Sequence, residues 1–430
     1  MELNSLYKLF LKGISVTTDT RKIKQGSLFF ALKGDNFDGN KYAEVALQKG
    51  CSYAIIDDET VKKNDRYILV ENVLVTLQKL ANYHRQTLKI PIVAITGTNG
   101  KTTTKELIAA ILSKKFEIAF TEGNLNNHIG VPLTLLSMTE KTEIGVVEMG
   151  ANHPHEIMNL CEIAEPNYGV ITNIGKAHIE GFGSFENVIK TKSELYDYLE
   201  SAEGTVFYNK GNEILSEIIN KNKIENIAYG DSSTDIFAET ITTGQFLTMQ
   251  LSISRLKYTL NTNLVGKYNV ENILAAVSIG KYFEILDEKI IFAIEEYKPT
   301  NNRSQFVKTD KNNLILDAYN ANPTSVFAAL ENFVQMNLEN KCVVLGDMLE
   351  LGEISLTEHL KVITYLEVQS LKQILLVGEI YSSFDVPKNM IQFKNVDELI
   401  LWLESNKIDS SNVLIKGSRG IRLERIVENL

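Results

Sequence analysis

Cysteine is scarce: Cys51, Cys161 and Cys342 are the three in 430 residues, far apart, odd in number and without metal-ligand spacing. That excludes a disulfide framework and a thiolate metal cluster, and it fits a reducing compartment with the thiols in the core. Long apolar runs are missing too, for none approaches the roughly 18 residues a membrane-spanning helix needs. Met1 to Gly13 mixes Glu2, Lys8 and Lys12 with short apolar pieces and carries no signal-peptide core, so no membrane span and a cytoplasmic location are expected. Positive charge is in deficit, with 44 Lys and Arg against 54 Asp and Glu and a net charge of −10. Nucleic-acid backbones need a clustered basic excess, so no nucleic-acid partner is expected, and an anionic substrate must be met by local basic groups.

What is present suffices for several cores, because 44% apolar and 23% charged residues make an ordinary globular composition. At about 100–200 residues per domain the length divides into two to four domains, and three fit the pattern. Residues 1–88 alternate strands at Ser27 to Leu32 and Tyr53 to Asp57 with helices at Tyr42 to Lys49 and Val73 to Thr87, until Pro91 resets the chain to extended structure. Residues 89–299 string apolar strands at Pro91 to Thr96, Glu143 to Met149 and Tyr168 to Ile174 between helices, the pattern of a doubly wound parallel sheet covered on both faces. Asp231 to Leu264 turns to short polar strands, expected as an antiparallel extension of that sheet. After the polar, proline-bearing Tyr297 to Asn302, residues 300–430 read as a smaller, Rossmann-like unit with strands at Asn313 to Asp317, Cys342 to Gly346, Ile374 to Gly378 and Val413 to Lys416. The expected fold class is α/β throughout.

The most specific signal is Thr96-Gly97-Thr98-Asn99-Gly100-Lys101-Thr102-Thr103, set between an apolar strand and a helix. Gly97 and Gly100 let the loop curl so that the N–H groups from Thr98 and Asn99 through Thr103 face a phosphate. Lys101 places a cation between the β- and γ-phosphates, and the Thr102 hydroxyl suits Mg²⁺. The helix adds its positive end. A fully spaced Walker motif would have its first glycine at Ile95, so this is a shorter Gly-x-x-Gly-Lys-Thr form. Glu148 ends the next apolar strand, where ligand crevices of open α/β sheets lie, and is either an oxygen ligand for Mg²⁺ or a solvated strand-end carboxylate. His178 follows another strand and, taken alone, reads as a surface or packed histidine. Lys192 reads most simply as a helical surface lysine beside the favourable i,i+4 pair of Glu186 and Lys190.

In order and approximate spacing, the phosphate loop, Glu148, His178 and Lys192 resemble the central domain of the Mur ligase family. The resemblance implies that Lys192 is carbamylated by CO₂ and helps His178 hold a second Mg²⁺. Chemically, a neutral, desolvated amine captures CO₂ and exchanges a repelling cation for a ligating anion. Thr121 to Leu135 resembles the substrate loop of the D-alanyl-D-alanine-adding members, with Asn124, Asn126 and Asn127 as hydrogen-bonding amides. Asp317 to Pro323, with Tyr319, Asn320 and Asn322, resembles their third-domain motif, and Gly346 to Gly352 and Lys416 to Arg419 fit as well. Each Asn-rich turn is otherwise a structural loop. Thr18 to Arg21 and Phe29 to Gly39 resemble the part that anchors the UDP-sugar, with Thr20 on the uracil and Arg21 on the diphosphate, or else they are strand-end turns. Gly266 to Ala276 resembles the adenine-contacting helix start, where Asn269 and Asn272 serve as contacts or as caps, with Tyr268 in place of the usual histidine. Arg303 resembles the arginine that reaches the γ-phosphate on domain closure, with Asn302 replacing the usual glycine; a surface ion pair is the plainer alternative. Asp317 contacts ribose, positions Arg303, or caps a strand turn.

The resemblance further implies a monomer acting on UDP-N-acetylmuramoyl-tripeptide, D-alanyl-D-alanine and ATP with two Mg²⁺. The tripeptide carboxylate attacks the γ-phosphorus, and the amine then displaces phosphate from the acyl phosphate. Such chemistry rests on positioning and charge rather than on a covalent nucleophile. Rival readings are an amide ligase of the same group with another amine, and a nucleotide-gated protein that binds without forming a bond.

Overall fold

The computed structural model describes residues 2–13 and 15–430. Every residue of the strand Ile92–Thr96 is buried, with Ile92 and Ala94 turned into one core and Val93 and Ile95 into another. A strand apolar on both faces needs cover on both. It lies inside a six-stranded, all-parallel sheet in the order Glu225–Tyr229, Thr205–Asn209, Tyr168–Ile171, Ile92–Thr96, Ile144–Glu148, Ile118–Phe120. Helices Lys101–Leu112 and Asn269–Tyr282 contribute to the core on one face; Gly130–Leu136, Glu156–Ala164 and Phe185–Ser201 contribute to the core on the other. The connection after Ile92–Thr96 runs towards one edge of the sheet and the connection after its neighbour Tyr168–Ile171 towards the other, which opens a crevice at the carboxyl ends of these strands.

The antiparallel strands expected between Asp231 and Leu264 are present as Ile236–Thr243, Leu247–Ile253 and Leu256–Asn261, but they pair among themselves rather than extending the parallel sheet. Leu247, Met249, Leu251 and Ile253 alternate onto one buried face that shares a core with Ile273 and Val277 of the neighbouring helix. A one-faced apolar pattern is satisfied by that single covering layer.

Four parallel strands, Val16–Thr17, Leu28–Phe30, Tyr53–Ile56 and Tyr67–Leu69, form the first sheet. The helix Val73–Leu88, capped by the Asn72 side chain, shares its core with Leu28 and Ile55 and also with Val131, Leu135 and Leu160 of the central helices. Its Arg85 is buried and donates to the carbonyls of Ala164 and Glu165, each at 2.9 Å.

The third sheet has six strands in the order Gln305–Lys308, Asn313–Asp317, Asn412–Lys416, Lys341–Gly346, Gln373–Val377, Met390–Phe393, parallel except for the first. The two edge strands, missing from the expected set, are short and half-buried, so neither an apolar run nor an alternation marks them. All three cysteines are buried and unpaired, as expected.

Candidate active site

Loop 97–100 takes its shape from the end of the neighbouring strand. Thr98 N–H donates to the Asn173 carbonyl and Asn99 N–H to Asn173 Oδ1, each at 2.9 Å, while Thr172 Oγ1 donates to the Asn99 carbonyl at 2.6 Å. Gly97 has φ +139 and a Cβ there would stand 2.1 Å from Thr172 Oγ1; Gly100 has φ +79 and a Cβ would stand 2.2 Å from Asn272 Oδ1. Neither position admits a side chain without displacing its neighbour. Lys101 folds back onto the carbonyls of Gly97 and Thr98 at 2.7 and 3.0 Å. Burial pushes its ammonium down to about 8, with Glu148 opposing and Arg303 adding to the shift. An incoming phosphate is the stronger partner for such a cation.

Glu148, 1% exposed at the end of its strand, accepts from Thr102 Oγ1 at 2.9 Å and from Asn126 Nδ2 at 2.7 Å. Both donors were expected at the site, and the carboxylate is a site component rather than a solvated strand end. Asn127 lines the same cavity, its Oδ1 accepting from the N–H groups of Ile129 and Gly130 at 3.1 and 2.9 Å and so shaping the turn before the helix Gly130–Leu136. Asn124 lines it as well.

Lys192 is 3% exposed, not a surface lysine. Its amine donates to the Ala151 carbonyl at 3.4 Å and stands 5.6 Å from the Phe182 ring centroid. Burial, then the charge of Lys101, hold it well below the ordinary lysine value, with Glu156 and Glu194 pulling the other way. His178, left-handed at φ 51, meets a carboxylate oxygen of Glu350 of the third sheet's domain through Nδ1, and this contact keeps the Glu350 carboxyl below its usual range.

Across the crevice, the Arg303 guanidinium lies 3.7 Å from the Tyr319 ring centroid, and Arg419 lies 5.4 Å from it. Asp317 accepts from Lys416 Nζ at 2.6 Å and from the Ser304 N–H at 3.3 Å, which makes it an anchor beside Arg303. Asn320 Oδ1 accepts from the Ala321 N–H. Asn322 both caps the helix Pro323–Gln335 and donates to Asn99 Oδ1 at 2.8 Å, joining the third domain to the phosphate loop. Asn269 and Asn272 bond each other at 2.9 Å, and Asn272 Oδ1 also accepts from Thr104 Oγ1 at 3.1 Å. One cavity of about 960 Å³ gathers Lys101, Thr103, Glu148, His178, Asn269 and Arg303 along its walls. Thr20 and Arg21 stand apart from it on the first domain, where the exposed Arg21 guanidinium is held by Asp19 at 2.8 Å.

Three family models match in register along the chain: Mur ligase family, catalytic domain, over residues 14–88; Mur ligase middle domain over 95–280; and Mur ligase, glutamate ligase domain over 302–419. Over 431 aligned residues the sequence is 35% identical to the UDP-N-acetylmuramoyl-tripeptide--D-alanyl-D-alanine ligase of Bacillus subtilis, covering 96% of this chain and 92% of that one. The chain belongs to the Mur ligase family. Among solved Mur ligases, MurF from Acinetobacter baumannii superposes with a TM-score of 0.87 at 30% identity, covering 97% of this chain and 93% of that one. MurF from Thermotoga maritima in complex with ADP gives 0.85 at 26% identity, covering 98% and 97%.

Three side chains of this Mur ligase escaped the sequence: Glu350, paired with His178, and the neighbours Lys105 and Glu106 on the phosphate-loop helix. Lys105 is fully buried, its Nζ without a hydrogen-bond partner and 4.0 Å from Glu148 Oε2. A second lysine four residues after Lys101 lies on the same helix face and was the available signal.

Proposed function

We propose that the chain joins the amine of D-alanyl-D-alanine to the free carboxylate of UDP-N-acetylmuramoyl-tripeptide at the expense of ATP, giving the UDP-linked pentapeptide. The observation that carries this reading is a phosphate loop and an aromatic-stacked arginine facing one cavity, in a chain whose full-length relative bears that ligase's name. Residues 1–88 hold the UDP-sugar, with Thr20 and Arg21 at the nucleotide; residues 89–299 hold ATP; residues 300–430 bring Arg303 over it. We expect it to work as a monomer in the cytoplasm; among the described residues no helix is long and apolar enough to cross a membrane.

A carboxylate oxygen attacks the γ-phosphorus; the new O–P bond forms as the bond to the bridging oxygen breaks, and ADP departs with that electron pair. The amine nitrogen then attacks the acyl carbon, the C–O bond to phosphate breaks, and inorganic phosphate leaves while the amine's proton passes to solvent. Lys101 and Arg303 would neutralise the phosphoryl oxygens, and stacking on the Tyr319 face holds the guanidinium in place. Asn269 and Asn272 stand where an adenine edge would meet amides. Asn124, Asn126, Asn127 and Asn320, which line the cavity, would meet the acyl group and the incoming dipeptide, while Asn322 ties the third domain to the phosphate loop. Thr102 and Glu148 are oxygen donors suited to Mg²⁺, which takes few protein ligands and keeps water and phosphate oxygens. A second Mg²⁺ would be held by His178 and a CO₂-derived carbamate on Lys192, a burial-depressed amine suited to that modification; bound there, the two ions supply charge neutralisation.

Phosphate release should require D-alanyl-D-alanine together with the UDP-tripeptide and ATP, and the product mass should equal the sum of the two acceptors less one water. Ligation of a single amino acid in preference to the dipeptide would move the chain to another amine specificity. Phosphate release or binding without the new bond would reject ligation.

A further inference from the structure

We infer that Glu106 is a positioning residue for this reaction: it anchors the linker that delivers Arg303, so that the phosphate-loop helix itself sets where the third domain's arginine stands. The inference rests on the reading that Arg303 acts on the γ-phosphate.

Glu106 lies on the helix Lys101–Leu112, little more than a turn beyond Lys101. Two side chains of the linker between the central and third domains donate to it, one to each carboxylate oxygen: the Tyr297 hydroxyl to Oε2 at 2.5 Å and Asn301 Nδ2 to Oε1 at 2.9 Å. Burial and the Glu106 charge push the Tyr297 phenol above its ordinary value, so it stays a donor. The buried Lys105 amine, without a hydrogen-bond partner, stands between two carboxylates, 3.9 Å from Glu106 Oε1 and 4.0 Å from Glu148 Oε2.

Immediately after Asn301 the backbone is strained. Asn302 and Ser304, on either side of Arg303, are both left-handed without being glycine, at φ 57 and φ 49. Such residues persist only where their surroundings over-determine them. Here the Ser304 end is tied to both domains, through its hydroxyl to Tyr268 of the central domain at 2.8 Å and through its N–H to Asp317 of the third. The Asn302 N–H is held by Gln305 Oε1 at 3.2 Å. The Tyr297 to Asn301 end is fixed by Glu106. With both ends tied, Arg303 projects onto Tyr319; with the Glu106 end released, the linker relaxes and the guanidinium loses its place. Tyr268, which replaces the usual histidine, thereby acquires a part in the same anchorage.

The test is steady-state kinetics on the full chain with Glu106→Ala, Glu106→Asp, Arg303→Ala and the double variant. Glu106→Ala should lower kcat by about tenfold or more, as misplacement of a charge-stabilising group does, with KM for ATP and for the UDP-tripeptide within about twofold. Glu106→Asp should restore part of the loss. In the Arg303→Ala background, adding Glu106→Ala should cost less than about twofold, because the two act through one group. Multiplying losses in the double variant, or wild-type kcat in Glu106→Ala beside a crippled Arg303→Ala, would overturn the inference alone. Wild-type kcat in Arg303→Ala would overturn the reading of Arg303 and the inference with it. If Glu106→Ala does not fold, Tyr297→Phe and Asn301→Ala each remove one donor; both should lower kcat, and wild-type kcat in both overturns the proposal.

Discussion

A lysine that is 3% exposed, with one backbone carbonyl at 3.4 Å as its acceptor, is a poor place to keep a proton. Burial and the nearby Lys101 both favour the neutral amine of Lys192, the form that reacts with CO₂. Lys192→Ala should therefore reduce turnover by about 10²–10³-fold, the scale of losing one preorganised charge-stabilising group, and a short carboxylate such as acetate should return part of it. Unchanged wild-type turnover in CO₂-depleted buffer, with no response of the variant to acetate, would remove the carbamate. The burial was legible: Val188, Lys192, Leu195 and Leu199 fall on one helical stripe, whereas Lys190 lies off it in solvent. A lysine on an apolar stripe is buried with that stripe, whereas the Glu186 and Lys190 charge pair beside it is exposed.

At the level of elements, the strand Ile92–Thr96, its loop and its helix were legible because each has a local cause: apolar residues on both faces, two glycines, a lysine and hydroxyls at the turn. Asn126 and Asn322 were legible as amides of Asn-rich turns, but their partners were not, since Glu148 lies 22 residues from Asn126 and Asn99 lies 223 from Asn322. Pairing over such separations is set by packing, which no local pattern records. Gly100→Ala tests the loop as a unit. A left-handed alanine costs about 1–2 kcal/mol, and its Cβ, 2.2 Å from Asn272 Oδ1, must also push that amide away. The expected outcome is a lower thermal midpoint together with a raised KM for ATP, because Asn272 borders the cavity. A variant with both quantities unchanged would mean that the loop adopts another shape.

At the scale of the whole molecule, the helix Val73–Leu88 closes the sequence of the first domain yet packs into the central one, and His84 sits at that junction. The ring is 3% exposed, between the Tyr7 hydroxyl at 3.0 Å from Nδ1 and the Met138 carbonyl at 3.0 Å from Nε2. A carbonyl only accepts, so Nε2 carries the proton and Nδ1 accepts from Tyr7; the imidazole is neutral. Burial pushes its pKa below the ordinary 6.5, against a smaller upward pull from the Met138 carbonyl. The unfolded chain therefore binds a proton that the folded one refuses. This contribution to stability is fully present above about pH 6.5 and is lost as pH falls from there towards the folded-state value, with a slope of at most about 1.4 kcal/mol per pH unit. His84→Gln keeps a donor for Met138 and an acceptor for Tyr7 but does not titrate. Between pH 7.5 and 5.5 the wild-type thermal midpoint should fall more steeply than that of His84→Gln, while the equally buried His359 contributes the same slope to both. Parallel curves would show that the histidine joining the first domain to the central one is protonated as readily folded as unfolded.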